Sequence, residues 1–372
     1  MQASRVHALS KRLRVPFGES TILQRQGDPM VTIADVAEEA GVSISTVSYV
    51  MSGKRTISPE TRRRVERAIA SLGFSPHAGA RSLASRSTSV IGLQIPLRTG
   101  VDVHVVMEVV TGVVARARTH GYDILLLTSD DPRGMERAAK GSMVDALLVM
   151  DIESDDPRIG ILSHLEQPSV LIGLPEGRRT IPCVDFDFEE AGWLAVDRLK
   201  AQGHRRVALI GSPAEVMARH TAYADRLARG FLAACAAAGM TGSIHPCPSN
   251  AEAADVVDAV IAEDPQITGF FVHNEGALPH VYARLVEAGK HTASAPSIVA
   301  LCPEDVALSV PGPVDSIAIP AEAMGAAAAD VICELIDGGT PPGVRLIAPT
   351  LTVRTAVTAT GKPAKPKRRA AS

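Results

Sequence analysis

Few residues in this chain are spaced for covalent chemistry. Its five cysteines (183, 235, 247, 302 and 333) form no C-x-x-C pair and no metal spacing, and their odd number fits reduced thiols. No G-x-S-x-G turn, phosphate loop or metal cluster occurs; L-I-G-S-P at 209–213 is only superficially like a nucleophile turn. Asp102 and His104 lie close together, but no nucleophile is spaced to use them. An enzyme is therefore not expected, and neither is a cofactor or a metal. The remaining chemistry is non-covalent, and its densest stretch is V-T-I-A-D-V-A-E-E-A-G-V-S-I-S-T-V-S-Y-V-M-S at 31–52.

That stretch needs two short helices to position it. Ile33, Val36, Ala37 and Ala40 recur at helical spacing, with Thr32 ahead of them as an N-cap and Gly41 after them as a stop. Ser43 is a second N-cap, and Val47, Val50 and Met51 form the next apolar face. Such a helix–turn–helix presents its second helix to the major groove of DNA. A third helix follows. Ser58 and Pro59 start it, Val65, Ala68, Ile69 and Leu72 form its buried face, and Gly73 ends it. Lys54, Arg55, Arg62 and Arg63 cluster here as phosphate ligands or as a solvated face.

Charge is unevenly distributed. Residues 1–29 and 30–89 each carry a net +3 and the tail 361–372 carries +5, so the remaining 271 residues carry −14 within an overall −3. A basic head on an acidic body can dock on phosphates through the head alone. Residues 1–29, with Lys11, Arg12 and Arg14, read as a disordered extension, and Met30 is an alternative start. The segment 356–372 reads as a disordered basic tail. No apolar run is long enough for a bilayer, and no secretory h-region follows the basic N-terminal residues, so a cytoplasmic protein is expected.

The segment F-S-P-H-A-G-A-R-S-L-A at 74–84 favours a short helix weakened by Gly79, marginal until something holds it. From residue 90 apolar runs alternate with amphipathic helices. Strands are expected at 90–95, 124–128, 146–150, 169–172, 207–210, 269–273, 297–301 and 316–319. Helices are expected at 105–120, 189–202, 223–238, 251–262, 278–288 and 321–337. This alternation predicts parallel sheets covered on both faces, and the length predicts two of them, with ligands bound outside the carboxyl ends of the strands.

The sequences at 31–48, S-P-E-T-R-R-R-V at 58–65 and A-R-S-L-A at 80–84 resemble the head of the lactose-repressor/galactose-repressor family. R-V-A-L-I-G at 206–211, H-N-E at 273–275 and P-V-D-S-I-A-I-P at 313–320 fit its core. The resemblance spans roughly residues 30–355. It implies an α/β fold: an all-α helix–turn–helix head, residues 30–75, and a hinge, 76–89, on a periplasmic-binding-protein-like core, 90–355. That core would hold two doubly wound parallel-sheet subdomains, at about 90–185 plus 319–338 and about 188–316 plus 343–355. Crossovers would fall near 184–188, 316–320 and 338–343.

The function implied is that of a transcriptional regulator, most readily a repressor. It would bind pseudopalindromic operator DNA as a homodimer, under allosteric control by a sugar or other metabolite. By position Ile44, Ser45 and Tyr49 match the base-reading residues, while Thr32, Ser43, Thr46 and Ser48 meet phosphates alongside Lys54 and Arg55. In the hinge Leu83 matches a minor-groove wedge, Ala80 the small residue that allows close approach, and Arg81 a phosphate or groove contact. The effector candidates are His104, Asp151, Arg226, Asn274, Glu275 and Cys302, with Arg229 as an alternative to Arg226. Cys302 stands where many relatives carry a sugar-binding aspartate, which argues against a simple sugar. A solute-binding protein with the same core is the alternative; the attached helix–turn–helix and the missing signal peptide argue against it. No heptad segment suggests a tetramer.

Overall fold

The computed structural model describes residues 31–52, 55–74, 87–95, 97–128, 132–177, 180–292 and 297–354. The chain forms two compact units, one within residues 1–80 and one within 81–372.

Among the described residues the first unit holds three helices, α1 (Ile33–Ala40), α2 (Ile44–Ser52) and α3 (Pro59–Leu72). Their ends follow from side-chain capping. Thr32 and Asp35 form a reciprocal capping box on α1: the Thr32 N–H donates to Asp35 Oδ2 (2.7 Å) and the Asp35 N–H to Thr32 Oγ1 (3.4 Å). Gly41 ends α1 in the left-handed region at φ 60°, where a side chain would be strained. Ser58 caps α3 through the Thr61 N–H, with Pro59 in the first turn. Val36, Ala37, Ala40, Val47, Val50, Val65 and Ala68 form the buried core. A core of small side chains is enough here only because caps and turns already define the helix directions.

The second unit is an α/β core of two six-stranded sheets. Its elements, in order, are β1 (Val90–Gln94), α4 (Val103–Thr119), β2 (Asp123–Leu127), α5 (Pro132–Lys140), β3 (Ala146–Val149), α6 (Arg158–Leu162), β4 (Ser169–Ile172), β5 (Cys183–Phe186) and α7 (Phe188–Ala201). Then come β6 (Arg206–Gly211), α8 (Ala214–Ala218), α9 (Ala222–Ala238), β7 (Thr241–Pro246), α10 (Ala253–Glu263), β8 (Gly269–Val272) and α11 (Leu278–Glu287). The chain closes with β9 (Ile298–Leu301), α12 (Glu304–Ser309), β10 (Asp315–Ile317), α13 (Ala321–Ile336), β11 (Val344–Ile347) and β12 (Leu351–Thr352).

The first sheet runs β11-β5-β4-β3-β1-β2 and the second β12-β10-β9-β8-β6-β7. All pairings are parallel except β12 on β10. Each sheet reverses its strand order beside its first strand, so each has a switch point where a crevice opens at the carboxyl ends. β1, β3 and β4 supply one wall of the cleft between the sheets; β6 and β8 supply the other.

The third crossover differs from the expected one. Residues 343–347 do not join the second sheet. β11 pairs with β5 (Val344 with Cys183 through Ile347 with Phe186) and extends the first. The chain changes sheets only at 348–350, before Leu351 pairs with Ile317. The expected 184–188 crossover is likewise preceded by a full buried strand, β5.

Two helix pairs cross at reciprocal glycines. Gly112 of α4 meets the α13 backbone at Glu322, and Gly325 of α13 meets the α4 backbone at Val109. In the other lobe, Gly192 of α7 and Gly230 of α9 stand in the same relation, against Phe231 and Glu189. A methyl at any of the four would overlap a backbone atom that cannot swing aside. Gly325→Ala and Gly230→Ala should each cost roughly 3 kcal/mol and lower the melting temperature by several degrees. Gly160→Ala in α6, where an added methyl meets nothing, should leave it unchanged. Thermal denaturation of the three variants checks this.

Candidate functional site

On the head, α2 turns three side chains outward. Ile44 is 51% exposed, Tyr49 is 37% exposed and Ser45 lies beside them, while Val47 and Val50 face the core. Ile44 is thus left in water next to a phenol and a hydroxyl. The α2 N-terminus carries a hydroxyl cluster. Ser43 Oγ lies 2.9 Å from Thr46 Oγ1 and 3.0 Å from Ser45 Oγ, and it accepts the Thr46 N–H at 3.2 Å. Thr32 Oγ1 donates to Asp35 Oδ2 at 2.8 Å, so its hydroxyl serves the α1 cap. Ser48 is half-buried on α2. The Arg55 guanidinium lies over the Tyr49 ring at 5.7 Å, which braces the phenol from the loop after α2. Lys54, Ala80, Arg81 and Leu83 lie outside the described residues.

In the core, residues at the carboxyl ends of both sheets enclose a cavity of about 140 Å³ between the lobes. Its walls include Val105 and Val109 of α4, Ile172 of β4, and Ile319 and Met324 near α13. Phe188, Tyr223 and His273 form an aromatic corner, with ring centroids 5.5 to 5.9 Å apart. Four acids border the space, Asp102, Asp151, Asp185 and Glu275, and no Lys or Arg does.

Most of the polar groups are already engaged. Asp102 caps α4, accepting the His104 and Val105 N–H groups at 2.8 and 3.3 Å. Asp151, with φ 53°, meets Arg98 at 3.3 Å and Arg219 at 3.5 Å. Burial still raises its pKa above the ordinary aspartate value despite the two arginines. Asn274 holds the loops together. Its Oδ1 accepts Ser249 Oγ (2.9 Å) and the Ala277 N–H (3.1 Å), and its Nδ2 donates to the Cys247 carbonyl (2.6 Å).

Glu275 and His273 remain. Burial pushes the Glu275 carboxyl up to about 7, and Asp102 adds to the rise. Burial pushes His273 down to about 4, so the imidazole is neutral at physiological pH. Among the described residues neither side chain has a hydrogen-bond partner on another residue.

Of the six effector candidates, Asp151, Asn274 and Glu275 line this cavity, and His104, Arg226 and Cys302 do not. Arg226 is buried and fully used. It donates to Asp185 at 2.8 Å, to Asp187 at 3.1 Å and to the Phe186 carbonyl at 3.2 Å, pinning α9 to the end of β5. Arg229, the alternative, lies outside the cavity on Glu176 and Glu189. Cys302 is buried in the core of the second lobe, its thiol pushed up to about 12 by burial. His104 sits at the exposed rim, 3.2 Å from Asp305 of the other lobe and 3.7 Å from Glu108; these three are near enough to share a cation, but solvent bathes them all.

Sequence reasoning missed Phe188, Tyr223, His273 and Asp185. A local signal existed for one of them, since His273 directly follows the apolar run of β8 and must sit at its carboxyl end. Phe188 and Tyr223 start helices whose approach to the cavity depends on the lobes being assembled.

A helix–turn–helix with an exposed second helix on one unit and a two-lobed α/β core with an interlobe cavity on the other are the parts of a DNA-binding transcriptional regulator, and comparison with known proteins agrees. Residues 32–77 match the domain of bacterial regulatory proteins of the lacI family, and residues 196–357 match a periplasmic binding protein-like domain. Catabolite control protein A of Priestia megaterium is 31% identical over 255 residues, 65% of this chain and 73% of that protein. The HTH-type transcriptional regulator CelR of Thermobifida fusca is 29% identical over 342 residues, 86% of this chain and 96% of that one. Among solved structures, a transcriptional regulator CelR–cellobiose complex matches with a TM-score of 0.61 at 26% identity, over 87% of this chain and 99% of that one. A Lac repressor dimer bound to operator and the anti-inducer ONPF matches with a TM-score of 0.74 at 20% identity, over 88% and 99%, a likeness of fold. The chain belongs to the lacI family of bacterial regulators. Among the described residues no helix is long and apolar enough to cross a membrane.

The raised Glu275 carboxyl fixes the sign of a stability effect. Below about pH 4.5 the group is protonated in folded and unfolded chains alike. Between about pH 4.5 and about 7 the unfolded chain sheds this proton while the folded chain keeps it, so stability falls as pH rises and levels off above about 7. Glu275→Gln should therefore leave the melting temperature unchanged near pH 4 and raise it by several degrees near pH 8. Thermal melts across that range test it.

Proposed function

We propose that this regulator is a repressor that binds a pseudopalindromic operator as a homodimer and takes a small-molecule effector in the interlobe cavity. Ile44, Ser45 and Tyr49 read base edges: Ile44 against a thymine methyl, Ser45 as a short donor or acceptor, Tyr49 through its hydroxyl and ring edge. The observation that carries this reading is the exposure of Ile44 and Tyr49 on a helix whose other face is buried. Ser43, Thr46, Ser48, Lys54 and Arg55 serve the phosphates, while Thr32, expected among them, gives both its donors to Asp35. Ala80, Arg81 and Leu83, within a hinge at 76–89, serve the minor groove, where a leucine wedge exchanges base stacking for a bend.

A second copy is supported by apolar side chains left in water on the first lobe. Val103 is 58% exposed and Met107, one turn later on α4, is 49% exposed; Leu126 on the edge strand β2 is 46% exposed. Two copies would present two heads at one turn's spacing. A small-molecule effector is supported by the similarity to a CelR–cellobiose complex, and the interlobe cavity is the place for it here. Ligand binding would act on DNA by biasing the lobes at the dimer interface and so the hinges. Such a protein acts in the cytoplasm, where its DNA is.

Footprinting on the DNA upstream of its own gene gives the site. On that site Tyr49→Ala should cost about 1 to 3 kcal/mol and relax specificity at one position. Arg55→Ala should weaken binding to all sequences and flatten the salt dependence by about one unit of slope. If Tyr49→Ala and Leu83→Ala leave affinity for the protected site untouched, the reading is wrong.

A further inference from the structure

A ligand for the interlobe cavity must suit what the cavity still offers. The apolar walls are continuous, with Val105, Val109, Ile172, Ile319 and Met324 around a space of about 140 Å³. A space of that size takes a single ring. A polyol is a poor match. Each buried hydroxyl needs a partner or costs about 1 to 3 kcal/mol. Asp102 caps α4 through Oδ1 and Asp151 meets two arginines through Oδ2, so each keeps one oxygen that can only accept, while Asn274 is engaged on three loop groups and Asp185 on Arg226 and the Phe186 N–H. An anion is a worse one, because every charged side chain in the lining is a carboxylate.

Two groups are left without partners among the described residues, and both can accept. The Glu275 carboxylate has no cation beside it. His273, 5% exposed, lines the cavity with its ring nitrogens unbonded. A neutral imidazole offers one acceptor nitrogen, and burial keeps this one neutral. Beside them stand the faces and edges of Phe188 and Tyr223, with ring centroids 5.5 Å apart. Tyr223 spends its hydroxyl on Ser212. Unpaired acceptors next to aromatic rings suit an N–H-bearing cation.

We infer that the effector is a protonated amine on a small apolar body of single-ring size, its ammonium held by Glu275 and His273 against the Phe188–Tyr223 corner. This rests on reading the cavity as the effector site. The amine replaces the missing cation of Glu275. Its apolar part fills the space between α4 and Met324. An organic cation that bridges groups from the β8 end to the α4 side also ties one lobe to the other.

Isothermal titration calorimetry of the full chain at about pH 7.5 tests it with four probes: 2-phenylethylammonium, the uncharged 2-phenylethanol, the anion 3-phenylpropanoate, and cellobiose. The ammonium should bind at least about tenfold more tightly than the alcohol, and the anion should bind weakest of the aromatic three. Glu275→Gln should remove about tenfold from the ammonium and leave the alcohol within about twofold. The inference is overturned if cellobiose or the anion binds more tightly than the ammonium, if Glu275→Gln leaves the ammonium-to-alcohol ratio unchanged, or if none of the four binds. Operator affinity measured in parallel separates the two readings. Glu275-dependent ammonium binding that leaves DNA binding unchanged upholds the ligand class and refutes allosteric control. Cellobiose that binds and shifts operator affinity does the reverse.

Discussion

Carboxylates taken out of water between two sheets set the terms for the core. Between the lobes Asp185 is buried and Asp151 and Glu275 are half-buried, and each must be paired or protonated. The fold answers with arginines from the opposite side. Arg226 of α9 reaches Asp185 at the end of β5, and Arg219, just before α9, reaches Asp151 after β3. Arg158 supports the same region from below. It is itself buried, grips Asp156 at 2.6 Å and holds the carbonyls of Met150 and Asp151, so the end of β3 cannot drift. At the rim His104 and Asp305 add an exposed contact between the lobes, worth little by comparison. The arrangement leaves Glu275 as the one acid of the lining that no side chain pairs or caps, among the described residues.

The head works by the opposite economy. It has no buried ion pair among its described residues and a small core of Val and Ala, and it relies on local rules: a capping box, a serine cap, a proline start and two left-handed glycine stops. Such rules define directions over short distances, which suits a unit that must hold α2 rigid while leaving its outer face bare. Where the core begins, Asp145 holds the chain. Burial alone would raise its pKa, but Ser87 Oγ, both donors of Thr88 and the Ser89 N–H give to it at 2.6 to 2.8 Å and hold it below the usual aspartate range.

Legibility followed the range of the forces involved. Caps and glycine stops of the head were readable because each is decided within four residues. Buried strands β3, β4, β8 and β9 were readable as short apolar runs. β5 was not, because V-D-F-D-F alternates acids with apolar residues, and Asp185 tolerates burial only through Arg226, forty-one positions on. β7 and β11 lie at sheet edges with polar or exposed residues and little apolar signal. The third crossover was misplaced for the same reason: β11 is held by its pairing with β5 rather than by its own composition. Arg226 lay one residue from a ligand-binding position by sequence, with Arg229 as the alternative, yet the partners that occupy it, Asp185 and Asp187, come from elsewhere in the chain. The aromatic corner depends on three elements meeting, and no local pattern announces it.

The account turns on one acid kept from water and from any cation until a ligand arrives. Carboxyl-carbon NMR of the ligand-free full chain, labelled at glutamate and titrated from about pH 4 to pH 9, reads it directly. One resonance, missing in Glu275→Gln, should titrate near about 7. If every glutamate of the folded chain titrates below about pH 5, Glu275 is solvated or paired, and the account of the cavity is contradicted.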